Sequence, residues 1–434
     1  MPKINETHNP QRRSWVSSAN ERGSDFPVQN LPFCMFSLGN DPARPAVAIG
    51  DQLLDLRATA DNDLFEANVS KAIRQCTGGA LNPLMKLDPS ELSSFRRRLF
   101  GLLSEDSPFD GRMPLIHRER ATLHLPVSIG GFTDFFTSLH HTERGGRITR
   151  PNDPVPPNFR YMPIAYNSRA SSVRVSGEDI RRPYGQFRQS DGSIHFGPTQ
   201  ALDFELELGA FVGRENELGT SVEIGEADEH IFGYCLLNDW SARDVQKWES
   251  FPLGPFLGKS LSTTISPFVV TTEALAPFRI PACERPKQDP QTLPYLYAEN
   301  DQQAGGIDLR LEAFIQTRKM SARSEAPFKI VTTNFKHMYW TFSQMLAHHT
   351  SNGCNLRVGD LLGSGTVSGP TDESRACLWE ITEGKNSIAL PNGETRIWLD
   401  DEDRVLLRAR AERTDYVSIG FGECVGRVVP AQKK

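Results

Sequence analysis

Two textures of apolar patterning divide the chain. In LDPSELSSFRRRLFGLLSE, residues 87–105, apolar positions recur at helical spacing: Leu92, Phe95, Leu99 and Leu102 share one face. This predicts a helix entered through Asp88 as N-cap, with Pro89 in the first turn and Glu91 closing a capping box. Leu87 and Leu92 supply a hydrophobic staple, and the arginines of RRRLF fall on the expected solvated side. Just upstream, VAIGDQLLDL alternates about Gly50-Asp51, the pattern of a hairpin. Beyond Pro126 the period shifts to two. The runs SSVRVSG, ALDFELELGAFVG, HIFGYCLLND, TTISPFVV, IDLRLEAFIQ, RVLLRARAE and VSIGFGECVGRVV read as strands parted by turn-forming and Pro-rich loops. The main helix of this half is NFKHMYWTFSQMLAHHTSNG, expected from Asn334 to Gly353. Hence three regions are expected: a polar, mobile segment over 1–24, a small mixed domain over 25–120, and a predominantly β domain over 121–434.

Composition narrows the function classes. Lysine plus arginine number 48 against 54 acids, with no concentrated basic run, which argues against a nucleic-acid partner. No apolar run reaches the ~18 residues of a membrane span. Seven scattered cysteines without a C-x-x-C pair read as reduced thiols, and the first residues lack an apolar signal core. Both point to the cytoplasm.

Candidate chemistry concentrates in a few segments. Alternation along ALDFELELGAFVG puts Asp203, Glu205 and Glu207 on one strand face, with neighbours roughly 7 Å apart. Their repulsion, roughly 2 kcal/mol per pair, is relieved either by water or by a hard cation. In LNDWSARDVQKWE, Asp239 ends an apolar strand, and Arg243 and Gln246 follow on one helical face. GPFLGKS imitates a phosphate loop but encloses three residues between its glycines and includes Pro255, so Lys259 reads as a fixed positive charge. Zinc spacing is absent, and the oxygen-rich donors suit calcium or magnesium. In TDFFTSLHH, spacing alone does not choose between His140 and His141.

Together DFPVQNLPF, LDFELELGAFVG, DEHIFGYCLLNDWSARDVQKWE, NFKHMYWT, NGCNLRVGDLLGSGTVSG and GFGECVGRVVPA resemble the fumarylacetoacetate hydrolase family, from about residue 25 to 431. The resemblance implies a mainly β (α+β) fold, a small N-terminal β-barrel-like domain before a large mixed β-roll, as a homodimer. It implies a hydrolase of tyrosine and phenylalanine catabolism that cleaves a carbon–carbon bond in a 1,3-diketo acid. By position, it assigns Asp134, Glu205, Glu207 and Asp239 to a metal, and Lys259 and Thr263 to a second, magnesium-type site, so Ca2+ and Mg2+ are the expected ions. His141 becomes the general base and Glu380 its orienting acid. Arg243, Gln246 and Lys259 hold substrate or its oxyanion, and Arg150, Tyr166 and Thr366 match substrate positions. The family's tyrosines are replaced by Phe136 and Ser250, and Asn167 also departs from the pattern. These departures imply a diketo-acid hydrolase whose preferred substrate need not be fumarylacetoacetate, and Phe136 and Ser250 support one rival, a weakly catalytic paralogue that binds metal and metabolite. The second rival is another activity of the superfamily, a metal-dependent oxo-acid decarboxylase.

Overall fold

A computed structural model of the chain describes residues 2–76, 78–109 and 111–432. The first alternating runs form a five-stranded antiparallel sheet ordered Leu115–His117, Gln52–Asp55, Arg44–Ile49, Phe33–Ser37, Thr122–His124. The hairpin at Gly50-Asp51 is present, with Ile49 opposite Gln52. The amphipathic helix runs Pro89–Leu103 with the expected Asp88–Glu91 capping box. Phe95, Leu99 and Leu102 are buried against this sheet's core, and Leu87 and Leu92 pack at its margin.

Two expectations in this region change. Residues 2–24 are not a free polar arm. Val16 and Ala19 are buried, Ser14 Oγ donates to Leu103 O, Trp15 Nε1 donates to Leu102 O, and Asn5 Nδ2 donates to Glu273. Polar residues here dock by hydrogen bonds, a mode that apolar patterning does not register. Arg96, expected in water, is buried and donates to Thr7 Oγ1 (2.9 Å), Asn30 O (2.8 Å) and Gln29 O.

The second half is organised by two sheets. The larger is ordered Ile164–Asn167, Phe132–Phe136, Leu361–Gly363, Leu206–Val212, Ile231–Asp239, Thr263–Ile265, Val173–Val175, with Val270–Thr271 pairing beside it. The pairs Phe132–Phe136 with Leu361–Gly363 and Thr263–Ile265 with Val173–Val175 are parallel, and the others are antiparallel. A five-stranded sheet, Phe328–Asn334, Arg310–Gln316, Arg404–Ala411, Ile419–Val429, Asp179–Arg181, completes the domain. Period-two alternation sorts the strand faces. Leu206, Leu208, Ala210 and Val212 join the core of this domain, whereas Phe211, Cys235 and Leu237 face the N-terminal unit. The long C-terminal helix is shorter than expected. Asn334 caps only a single 3-10 turn, and the α-helix spans Phe342–Thr350 behind Thr341, whose side chain closes its own capping box.

Candidate active site

Four carboxylates meet where the central strands of the large sheet end. Asp134 lies on Phe132–Phe136 and pairs in register with Gly363. Glu207 is the second residue of Leu206–Val212, Glu205 immediately precedes that strand, and Asp239 closes Ile231–Asp239. The water-facing alternative for these acids does not hold, because all four are at most 4% exposed. Each offers an oxygen within 4.8 Å of the others. Gly363 makes the approach possible, since a Cβ there would lie 2.5 Å from Asp134 Oδ1 and 3.1 Å from Glu207 Oε2.

Such proximity is costly without a cation. Burial and the charges of Asp239 and Glu205 push the Asp134 carboxyl up to about 7. Burial and Asp134 push Glu207 well above the usual carboxylate range. Asp134 Oδ1 and Glu207 Oε1 are buried and accept no hydrogen bond from the described residues. Two orphan oxygens within an all-oxygen donor set fit a hard divalent ion.

The cations sit to one side. Lys259 Nζ donates to Asp239 Oδ2 at 2.8 Å and to Glu205 Oε2. Burial opposes its charge, but Asp239 and Glu205 outweigh this and hold its pKa above the usual lysine value. The same ammonium, with Arg243, keeps Glu205 ionised below the usual range despite its burial. An ammonium has no lone pair to offer, so the Lys259 side chain is a counter-ion and not a metal ligand. Thr263 Oγ1 is likewise engaged, donating to Asp239 Oδ1 at 2.7 Å. Tyr166, matched to a substrate position, lies with its hydroxyl 2.7 Å from Asp134 Oδ2 and 3.0 Å from Asp239 Oδ2.

Asp203 does not join Glu205 and Glu207. The strand breaks after Asp203, because Leu202–Asp203 pairs with Ser241–Ala242 and the next strand begins only at Leu206. Asp203 therefore turns to Arg243, accepting from Nε at 2.9 Å, and to the backbone N–H groups of Leu378 (2.8 Å) and Trp379 (3.0 Å). Arg243 reaches across to Glu205 Oε1 at 2.8 Å and donates to Gln246 Oε1 at 3.1 Å, consistent with their shared helical face.

Near this cluster, helix Leu139–Thr149 begins at the N-cap Ser138, whose Oγ accepts from His141 N. The structure separates the adjacent histidines. His141 is buried with Nδ1 2.6 Å from Glu380 Oε1, whereas His140 turns toward His337. Glu380 comes from Leu378–Thr382, far away in sequence. Burial works against its charge, but His141, the Ser368 hydroxyl and Arg144 outweigh it and lower its pKa. Phe136 is edge-on to the His141 ring at 5.2 Å, and Trp379 lies at 6.1 Å from that ring while carrying the Arg243 guanidinium on its own face.

The remaining substrate positions divide. Thr366 is buried in the loop after Leu361–Gly363, next to Gly365, whose N–H donates to Glu207 Oε2 at 3.1 Å. Ser250 uses its hydroxyl on Gln246 O, at 2.5 Å, within its own helix end. Arg150 is exposed at the far end of the His141 helix and donates to Pro154 O. Sequence reading missed Arg144, Ser368, Cys377 and Trp379. For Arg144 a signal existed, the i, i+3 spacing from His141 on one helix. A cavity of about 780 Å³ between Leu31, Arg96, Phe232 and Glu273 contains none of these groups.

Comparison with known proteins follows the same division of the chain. The family model described as fumarylacetoacetase N-terminal matches residues 29–126, and that described as fumarylacetoacetate hydrolase C-terminal matches residues 132–429. The chain is 46% identical over 435 aligned positions to fumarylacetoacetase of Oryza sativa subsp. japonica, covering 96% of this chain and 97% of that protein. It is 44% identical over 419 positions to human fumarylacetoacetase, covering 94% and 97%. Among solved structures, fumarylacetoacetate hydrolase from psychrophilic Exiguobacterium antarcticum superposes with a TM-score of 0.50 at 17% identity, covering 93% of this chain and all of that one, and supports the fold. On the strength of both matched halves and of relatives aligned along almost its whole length, this chain belongs to the fumarylacetoacetate hydrolase family.

Proposed function

We propose that the chain hydrolyses a carbon–carbon bond of fumarylacetoacetate, giving fumarate and acetoacetate. The observation that carries this reading is the buried His141–Glu380 pair together with a four-carboxylate cluster, in which Arg243 bonds Glu205 and Lys259 bonds Glu205 and Asp239. Glu380 accepts from Nδ1, which leaves Nε2 free to take a proton from water. The resulting hydroxide attacks a substrate carbonyl, and Arg243, Gln246 and Lys259 stabilise the oxyanion. The carbon–carbon bond then breaks, and the imidazolium returns its proton to the departing carbon. One water is consumed and two acids result. Asp134, Glu205, Glu207 and Asp239 would hold a divalent ion, Ca2+ or Mg2+, which supplies Lewis-acid stabilisation of negative charge on substrate oxygens. Phe136, Tyr166 and Thr366 line the substrate pocket in this reading, whereas Arg150 and Ser250 would reach substrate only by giving up their bonds to Pro154 O and Gln246 O.

Pairing of two copies is part of the same proposal. Phe251, Leu253 and Phe256 are 91%, 97% and 68% exposed, on the loop between helix Arg243–Glu249 and Lys259, and an apolar patch of this kind suits a partner surface. Free thiols at all seven cysteines accord with a reducing compartment such as the cytosol.

The test is product analysis with fumarylacetoacetate and related diketo acids in magnesium or calcium. Fumarate and acetoacetate, lost in His141→Ala, are expected. Release of carbon dioxide that survives His141→Ala would establish the decarboxylase instead, because that reaction needs no attacking hydroxide. Metal binding without turnover would leave only a binding protein.

A further inference from the structure

We propose that Arg144 is a positioning residue for the His141–Glu380 pair, and that the pair works as a three-member unit. Helix Leu139–Thr149 places His141 and Arg144 three residues apart, so both side chains descend on one carboxylate. His141 Nδ1 occupies Glu380 Oε1 at 2.6 Å, and Arg144 Nη1 donates to Oε2 at 3.2 Å. Arg144 Nη2 also donates to Thr371 O at 3.1 Å, which ties the helix to the loop carrying Thr366 and Ser368. Ser368 Oγ adds a 2.5 Å bond to Oε1, and Cys377 Sγ lies 3.5 Å from the same oxygen.

The Glu380 side chain is wholly buried, and the Arg144 side chain is 17% exposed. A carboxylate so enclosed needs donors on both oxygens to stay ionised and to hold the imidazole in one tautomer. Arg144 supplies the only full positive charge bonded to that carboxylate among the described residues when His141 is neutral. Other charged groups near the pair are His140 and Glu143 on the same helix, Arg375, which donates to Glu380 O, and Arg243, Asp203 and Glu205 beyond Cys377. None of these bonds to Oε2.

This inference rests on His141 being the base, so its test has a readout independent of turnover. Arg144→Met and Arg144→Lys are compared with wild type, and with Arg147→Met as an exposed control on the same helix. Steady-state kinetics with fumarylacetoacetate are measured together with the 15N-imidazole titration of His141. Removing the cation makes the pair take up its proton at higher pH. In Arg144→Met, kcat therefore falls about tenfold or more with KM held within about twofold. The acid limb of the rate profile and the imidazole titration move up together, and Arg144→Lys recovers part of both. Unchanged kcat and titration in Arg144→Met would overturn the proposal. So would a loss of kcat with an unmoved titration, since that marks a merely structural role. If wild type hydrolyses nothing while the titration still moves, the three-member unit stands and the assigned reaction falls. If Arg144→Met does not fold, Arg144→Gln, which keeps a donor but removes the charge, decides: a fall in kcat with a raised titration supports the proposal, and wild-type kcat and titration there would overturn it.

Discussion

Gly363→Ala tests whether the carboxylate cluster is built to the spacing a metal requires. Its Cβ would stand 2.5 Å from Asp134 Oδ1, 3.1 Å from Glu207 Oε2 and 3.2 Å from Phe132 Cε2. An ordinary carbon–oxygen contact is about 3.3 Å, so the Asp134 carboxylate must retreat by about 0.8 Å. Metal–oxygen distances tolerate only about 0.2 Å. The strain falls on two side-chain termini of the carboxylate cluster and on one ring edge, which can turn. Overpacking of this kind costs the fold about 1–3 kcal/mol. The larger expected loss is in metal affinity, about 10- to 100-fold, as for other groups that set ligand geometry, or roughly 1.4–2.8 kcal/mol. Calorimetric titration of chelator-treated protein with magnesium and with calcium measures it, and thermal melts in chelator report the cost to the fold. A Kd within twofold of wild type would show that the four carboxylates are not the metal's ligands in this arrangement.

The metal-free protein should show an inverted pH response. In the folded state Asp134 holds its proton up to about 7 against 3.8 for the free side chain, so its protonated form favours folding. That contribution is complete below about pH 4 and is lost as pH rises through 7, roughly 4 kcal/mol in all. Melting temperature in chelator should therefore fall across this range, and added magnesium should cancel the fall. A flat profile without metal would contradict the assigned burial. Asp203→Asn removes the carboxylate that receives Arg243 Nε and two backbone N–H groups. It should lower kcat about 10- to 100-fold while leaving metal affinity unchanged, and equal loss of both would place Asp203 among the ligands after all. Arg96→Met strips donors from Gln29 O, Asn30 O and Thr7. It should destabilise by about 3 kcal/mol, seen as a lower denaturant midpoint, with activity retained in buffer. An unshifted midpoint would mean that these groups find water instead.

Much of the local structure was legible from spacing alone. The capping box at Asp88, the hairpin at Gly50-Asp51 and the apolar face of Leu206–Val212 each depend on neighbours within a few residues, so periodicity reveals them. Motif resemblance brought together Asp134, Glu205, Glu207 and Asp239, which the structure places in one cluster, and chose His141, which is the histidine bonded to Glu380. What periodicity could not reveal was where a strand stops pairing. The same alternation runs through Asp203 and Glu205, yet only the partner strands break the ladder between them and send one acid to Arg243 and the other to the cluster. Nor could it show that Arg96 sits in a cage of carbonyls, or that Arg144 shares a carboxylate with a histidine one turn away. Those outcomes depend on residues 66 to 236 positions distant along the chain. A residue's own sequence fixes which faces it can occupy. Only the assembled fold brings the opposing charges, whose attraction and desolvation then determine what each side chain does.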